Sequence, residues 1–523
     1  MNYKQLFSSA LPDDRIIDAQ FKDTYTLSTT SHRTQIDAVL KPVDEEEISA
    51  ILKIANEHKI KIHPISGGKN WGYSDSSPAQ DNAVILDLSL MNQIVEYNDT
   101  LSYITVQPGV TQKQLACFLK DHGDKHIMSV TGSSPYASIT GNYLERGFGM
   151  PPLADHADAV TSIQAILPDG TYYQSQLSHL GCTKVDKLYK HGLGPHTDGL
   201  FFQSNYGIVT QMTIKLALKP AHNTVVIAQT NGDNLSHVID SLRCMRQQWD
   251  IPNISIKVFN SLYSLAASQI PYPKEYMDRN DHLPQSVIDQ VTKDNKIADF
   301  IIVITCAGPK VINNAVAREL KKRLNRITDS IVIINEFRHD VLFKLKNFIP
   351  SNVRKKLDTI FTAWSLYKGT PSDKMLKLAY WRNRSKTDKH AEINPAKDGC
   401  GIIWYAPIIP FDGVSTKKYE AFFTKTCKKF DINPIFNFSN TADNYLIAVS
   451  ALIFDPKTQG EKARLCYLAL MEEGIKLGFP PYRLPFLAMD QMLTTYPSDI
   501  NTKIKNALDT NNILSPKKYT SAE

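Results

Sequence analysis

No stretch of about 18 apolar residues, the length a helix needs to cross a bilayer, occurs in this 523-residue chain. No membrane-spanning helix is therefore expected. Cysteine is sparse: seven residues, at 117, 182, 244, 306, 400, 427 and 466, each standing alone. None forms a Cys-x-x-Cys pair, which argues against a zinc knuckle and against a covalently attached c-type haem. The first residues, MNYKQLFSSALPDD, show no charged leader followed by an apolar stretch. An odd cysteine count without an export signal reads as reduced thiols, so a cytoplasmic protein is expected. Excess charge is also small, +6 overall, whereas nucleic acid calls for a concentrated basic stripe. The densest basic run, ARELKKRLNR (317–326), shares its segment with Ile312, Val316, Leu320 and Leu324 at four-residue spacing. That pattern buries one helix face and leaves the basic face in water. Internal repeats and low-complexity segments are absent too.

What is present is an ordinary globular composition, 42% hydrophobic and 21% charged, long enough for two or three domains at roughly 100–200 residues each. DEEEISAILKIANEHK (44–59) reads as a helix that Asp44 caps, with Glu47 placed for a capping box. IKIHPIS (60–66), AVILDL (83–88) and LSYITVQPG (101–109) read as strands, and TQKQLACFLKDHG (111–123) as a helix ended by glycine. After about residue 222 the texture changes. TVVIAQT (224–230), NISIKVF (253–259), DFIIVITCAG (299–308), SIVIINEF (330–337), GIIWYAPII (401–409) and YLIAVSALIF (445–454) are strand-like. Helical segments at 234–249, 311–326 and 457–477 separate them. One large sheet with helices on one side is expected, in a second domain spanning 223–477.

The segment HPISGGKNWGYSDSSP (63–78) asks what needs so bare a backbone behind a strand. Gly67-Gly68 followed by Lys69-Asn70 exposes several N–H groups, a nest suited to phosphate or pyrophosphate. It is not a Walker A loop, and it does not open a helix as a Rossmann fingerprint does. Taken alone it reads more simply as a tight surface turn.

Two further glycine-punctuated segments, SITGNYLERGFG (138–149) and FFQSNYGIVTQMTIKL (201–216), stand with it. At all three the sequence resembles the vanillyl-alcohol oxidase and 4-cresol dehydrogenase family of flavoproteins. VQPGVT (106–111), ADH (154–156), LPDG (167–170), GLGPHTDGLFFQSNYGIVT (192–210), AYWRNR (379–384), PPYRLPFLAMDQM (480–492) and NNILSPKK (511–518) find counterparts in the family's order. The resemblance implies an α+β, two-domain flavoprotein. Its FAD-binding domain, of the 4-cresol methylhydroxylase (PCMH) type, would comprise 1–222 and 478–523. Residues 223–477 would be a cap built on a large antiparallel sheet flanked by helices. It also implies that Gly67, Gly68, Lys69 and Asn70 hold the FAD pyrophosphate. Thr140, Gly141, Asn142, Glu145, Ile208 and Val209 would line the dinucleotide, and Lys518 would lie near the flavin ring. The family's frequent dimers leave a homodimer open.

Tyr73, Tyr482 and Arg483 match the family's grip on the oxygen of a para-substituted phenol, a small aromatic substrate. Two donors and a cation favour the phenolate. Lowering a phenol pKa of about 10 by about 3 units takes about 4 kcal/mol. The phenolate then drives hydride from the benzylic carbon, leaving a quinone methide. The plainer alternatives are two core tyrosines and an interdomain salt bridge.

Three positions depart from the family pattern. Ser133 stands eight residues before Gly141-Asn142, where the family has an aspartate. Serine cannot be the base that activates water. Ile402 occupies the position of the histidine that tethers FAD in the oxidase branch, and Ile447-Ala448 replaces a histidine pair. A non-covalent flavin is expected unless Cys400 or Tyr405 substitutes. Two other readings stay open: the same scaffold oxidising a non-phenolic substrate whose carboxylate Arg483 binds, and a non-catalytic flavin-binding protein.

Overall fold

A computed structural model describes residues 1–17, 23–32, 34–248, 254–268, 270–383, 392–440 and 443–520. Asn253 and Arg384, at the edges of two motifs above, lie outside them. The first long helix begins where the sequence demands. Asp44 accepts from the Glu47 N–H at 2.9 Å, and the helix runs Glu45–His58 with Ile48, Ile51, Leu52 and Ala55 buried. The reciprocal half of the capping box does not form. Glu47 instead accepts from the Val43 N–H at 2.8 Å and from Arg15 at 2.6 Å.

Strands β1 (Ile16–Ile17), β2 (Ile36–Leu40), β3 (Ile62–Ile65) and β4 (Ala83–Asp87) form a sheet in the order β1-β2-β4-β3. β2 and β3 both run parallel to β4. Like-directed strands need a crossover, which helix Glu45–His58 supplies. β5 (Ile94–Asn98) and β6 (Tyr103–Val106) lie in a second sheet, and β7 (His126–Ile127) stands apart from it. The second sheet is completed by β8 (Val160–Ile166), β9 (Tyr172–Gln174) and β10 (Ile208–Lys215) in the antiparallel order β5-β6-β10-β8-β9. β11 (Ala217–Leu218) pairs with β7.

Beyond residue 222 all the strands join one antiparallel sheet. They are β12 (His222–Thr230), β13 (Ile254–Asn260), β14 (Phe300–Gly308), β15 (Ser330–Asn335), β16 (Gly401–Tyr405), β17 (Ile408–Pro410), β18 (Ile435–Asn440) and β19 (Tyr445–Phe454). Their order is β15-β12-β14-β13-β18-β19-β16, with β17 also on β19. The period-two pattern divides the sheet's side chains between two faces. Ile256, Val258, Ile302, Ile304, Phe436 and Phe438 pack with helices Leu235–Gln248, Lys310–Leu324, Gly413–Lys429 and Gly460–Lys476. The other face is not bare, contrary to the expectation of helices on one side. Leu262, Tyr263 and Leu265 of helix Ser261–Ala267 pack there with Ile402, Ile435 and Ile453. Ile312 also departs from expectation. It is exposed, because Asn313 takes the inward place in that turn and donates to the His222 carbonyl at 3.0 Å.

The C-terminal segment returns to β3. The Ile62 N–H donates to Ile513 O at 2.7 Å, and the Ser515 N–H to Ile62 O at 2.8 Å. Behind this junction Lys505 is fully buried. Its ammonium donates to Asp509 Oδ2 at 2.6 Å, Leu514 O at 2.6 Å and Asn205 O at 2.8 Å. A charge so placed is tolerated only because it is paired and all three donors are used. Lys518 follows this junction, its N–H donating to Ser515 O at 3.2 Å. No helix among the described residues is long and apolar enough to cross a membrane.

Candidate active site

The loop after β3 is a tight turn organised on Asn70, whose carbonyl accepts the N–H groups of Tyr73, Ser74 and Asp75 at 3.1–3.2 Å. Its two glycines have different jobs. Gly68 has φ +63°, and a Cβ there would lie 2.8 Å from the Ser76 Cβ. The fold itself therefore requires glycine at 68. A Cβ on Gly67 would meet nothing within 4 Å, so its bareness keeps a groove open rather than a turn closed. Asp75 pins the loop from behind. It accepts from the Thr29 N–H and hydroxyl, both at 3.0 Å, and from Ser28 Oγ at 3.1 Å. Burial pushes its carboxyl up to about 7 against those hydrogen bonds.

Gly67, Gly68, Lys69, Asn70, Gly141, Asn142, Glu145, Ile208, Val209 and Lys518 all line this one groove, and Arg483 joins them. Thr140 does not. It is fully buried behind the wall on helix Ile139–Leu144, and its hydroxyl has no partner among the described residues. Lys69 is engaged by Glu392 at 2.9 Å.

A second cavity, of about 260 Å³, takes Tyr73, Tyr482, Phe148 and Trp404 into its walls. Lys69, Asn70, Ser133, Asn142 and Arg483 line both spaces, so the two abut there. The volume is near the lower end of small-molecule sites, roughly 300–1,000 Å³, which suits a small ligand. The Trp404 N–H donates to Gly72 O at 3.0 Å and the Tyr482 N–H to Ala406 O at 3.1 Å. Strand β16, the glycine loop and the C-terminal segment are thereby tied together around the cavity.

Charge is concentrated at the junction. Glu145 accepts from Lys518 at 2.7 Å and faces Arg483 Nε at 3.6 Å. Burial alone would push the Glu145 carboxyl up, but Lys518 and Arg483 outweigh it and hold it below the usual range. His63 lines the groove beside them, with Nδ1 3.0 Å from Ser515 Oγ. Burial, reinforced by Lys518, lowers its pKa to about 3, so it is neutral. Two cations against one anion leave a net charge of +1. The Arg483 guanidinium lies 4.0 Å from the centre of the Tyr73 ring and donates to Asn70 Oδ1. Burial works against its charge, but Glu145 and the surrounding tyrosines raise its pKa further. The Tyr73 hydroxyl is raised well above 10 by burial and by Tyr482, with which it interacts, so it stays protonated as a donor. Among the described residues, no Asp or Glu lines the second cavity.

The tether candidates named from the sequence lie elsewhere. Tyr405 is fully buried in the sheet core and donates to Leu470 O at 2.8 Å. Cys400 and Ile402 are buried on the opposite face. Sequence reasoning missed His63 and Lys257. Both break apolar strand runs with a polar side chain, IKIHPIS and NISIKVF, and that interruption was the available signal.

The groove fits an extended dianionic dinucleotide. Its floor is held open at Gly67, backbone N–H groups gather after β3, and Lys518 and Arg483 supply charge at one end. The comparisons agree. Residues 36–175 match the FAD binding domain family. The 1'-carboxy-chondrochloren decarboxylase of Chondromyces crocatus is 29% identical over 95% of this chain and 92% of its own length. The 4-cresol dehydrogenase [hydroxylating] flavoprotein subunit of Pseudomonas putida is 27% identical over 90% of this chain and 85% of its own. The crystal structure of p-cresol methylhydroxylase with substrate bound superimposes with a TM-score of 0.86 at 25% identity, covering 99% of this chain and 96% of that one. Fold and cofactor groove together define an FAD-dependent oxidoreductase. Along nearly its whole length the chain is similar to PCMH-type flavoproteins, with the α+β fold expected of them.

Proposed function

We propose that this enzyme removes a hydride from the benzylic carbon of a para-substituted phenol. The observation that carries the reading is the net positive cluster of Arg483, Lys518 and Glu145, set beside two tyrosine hydroxyls where cavity and groove abut. Bound FAD supplies a two-electron acceptor for the hydride. Arg483 stabilises the phenolate by charge, and Tyr73 and Tyr482 donate to its oxygen. Gly67–Asn70 hold the pyrophosphate through backbone N–H groups, and Gly141, Asn142, Ile208 and Val209 line the dinucleotide. Residues 1–222 with 478–523 serve the cofactor, and 223–477 cap the substrate.

Retention of FAD is non-covalent in this proposal, supported by Ile402 at the histidine position, by the absence of Cys400 and Tyr405 from the described linings of groove and cavity, and by the engagement of the Tyr405 hydroxyl with Leu470 O. The missing carboxylate shapes the outcome. With Ser133 at the junction and no acid among the described residues of the cavity wall, no carboxylate base there activates water against a quinone methide. Collapse to an alkene or other conjugated product is favoured over a benzylic alcohol. A relative named as a decarboxylase supports a fate other than hydration. The test is anaerobic titration with 4-alkylphenols. Bleaching of the flavin and an alkenyl phenol product are expected. A hydrated alcohol as sole product would overturn the proposed fate.

A further inference from the structure

Lys257 is the side chain in the second cavity that the phenol reading leaves unused. It sits in the middle of β13, where the neighbours on its face are Ser255 and Phe259, and its partner across the ladder is Ser439 of β18. Ser439 Oγ donates to Asn437 Oδ1 at 2.7 Å, and the Asn437 amide donates to Val449 O at 3.3 Å. These neighbours therefore satisfy one another. Among the described residues, the one recorded contact of the Lys257 ammonium is the thioether of Met150, at 3.8 Å. A sulfur is a weak acceptor and no counter-ion.

The setting makes that solitude informative. Among the described residues, three cations line the cavity: Lys69, Arg483 and Lys257. Lys69 is paired with Glu392 and Arg483 faces Glu145, while no carboxylate among the described residues lies in the cavity wall. A lysine ordinarily extends its ammonium into water over an apolar stem. Here the strand direction turns it into a half-enclosed space beside Phe259, Ile447 and Val449. An ammonium held there without a protein anion beside it among the described residues is placed to make a charge-assisted hydrogen bond to an anionic ligand. Arg483 and Lys257 come from different parts of the chain, the C-terminal segment and the sheet.

We propose that Lys257 anchors a carboxylate on the para side chain of the substrate. The substrate class is then a 4-hydroxyphenyl compound whose side chain ends in a carboxylate, and uncharged 4-alkylphenols are truncated versions of it. The inference rests on the phenol reading for the other end of the molecule. Lys257 is a specificity determinant in this scheme: it positions the side chain and takes no part in electron transfer.

The test uses the FAD-loaded enzyme, anaerobic, with binding read from the perturbation of the flavin spectrum. The probes are 3-(4-hydroxyphenyl)propanoate, 4-(4-hydroxyphenyl)butanoate and the carboxamide of each, which matches it in shape without the charge. Wild type should bind at least one acid about ten- to hundredfold more tightly than its amide, the range of a charge-assisted hydrogen bond. Lys257→Met should bring the acid-to-amide ratio to within about twofold, and Lys257→Arg should keep most of it. Wild type alone decides the matter if the variants fail to load flavin, since equal binding of acid and amide overturns the inference. An unchanged ratio in Lys257→Met overturns it as well. Reduction by 4-alkylphenols without an acid preference sinks the anchor and leaves the phenol reading standing. Lys257-dependent binding of acids that never reduce the flavin supports the anchor and removes the phenol reading.

Discussion

Replacing Gly67 by valine separates cofactor binding from folding in a single substitution. The new Cβ meets no protein atom within 4 Å, and Gly67 does not have a positive φ. Valine therefore costs the apoprotein little. A compatible glycine replacement even stiffens the unfolded chain, worth about 0.4–1 kcal/mol in favour of folding. The branched side chain projects into the groove and blocks approach to the N–H groups that follow β3. Hydrogen bonds to a charged partner are worth about 1.5–3 kcal/mol each. Loss of one or two of them weakens FAD binding by roughly ten- to ten-thousandfold. Gly68→Ala provides the contrast, because φ +63° and the 2.8 Å approach to Ser76 put the damage in the fold. The assay is the dissociation constant of the flavin-stripped protein for FAD, read by flavin fluorescence, alongside its thermal midpoint. Gly67→Val should keep the midpoint and lose the flavin; Gly68→Ala should lower the midpoint. Wild-type FAD affinity in Gly67→Val would show that the stretch is only a turn.

Three other perturbations follow from the same geometry. Arg483→Ala takes the junction from a net +1 to neutral. It should weaken binding of 4-alkylphenols, or slow flavin reduction by them, about ten- to hundredfold, read by stopped-flow absorbance. Asp75 carries a pKa raised from 3.8 to about 7, so the folded state holds that proton more tightly than the unfolded chain does. Its contribution is complete below about pH 4 and is lost as pH rises through 7. The thermal midpoint of the flavin-stripped protein should show this decline, and Asp75→Asn should flatten it. Lys505→Met leaves Asp509 buried without its cation, which should destabilise the protein by about 3–5 kcal/mol in chemical denaturation and loosen the segment that carries Lys518.

Much of the framework was legible because strong local signals coincide with strong tertiary ones. YLIAVSALIF became β19, Tyr445–Phe454, and the Asp44 cap starts its helix. The glycines and the motif order pointed to one stretch of surface, and ten of the eleven residues expected to hold FAD line one groove. Thr140 was the exception, because a six-residue helix points neighbouring side chains in different directions and sequence does not say which way. The second face of the large sheet was not legible either. Ile402 and Ile403 look alike in sequence, yet they pack into different cores. Lys257 escaped notice for a related reason. A lysine in a strand reads as solvent-facing until the opposite wall, built from Met150 and Phe148 far away in the chain, is in place.

The most direct measurement of the central claim is anaerobic reduction of the FAD-loaded enzyme by a 4-hydroxyphenyl substrate deuterated at the benzylic carbon. Full bleaching that deuterium slows several-fold, with bound phenol absorbing as phenolate below its solution pKa of about 10, is the result expected of hydride removal driven by Arg483 and its two tyrosines. A flavin that no para-substituted phenol bleaches, with or without a carboxylate on its side chain, would contradict it.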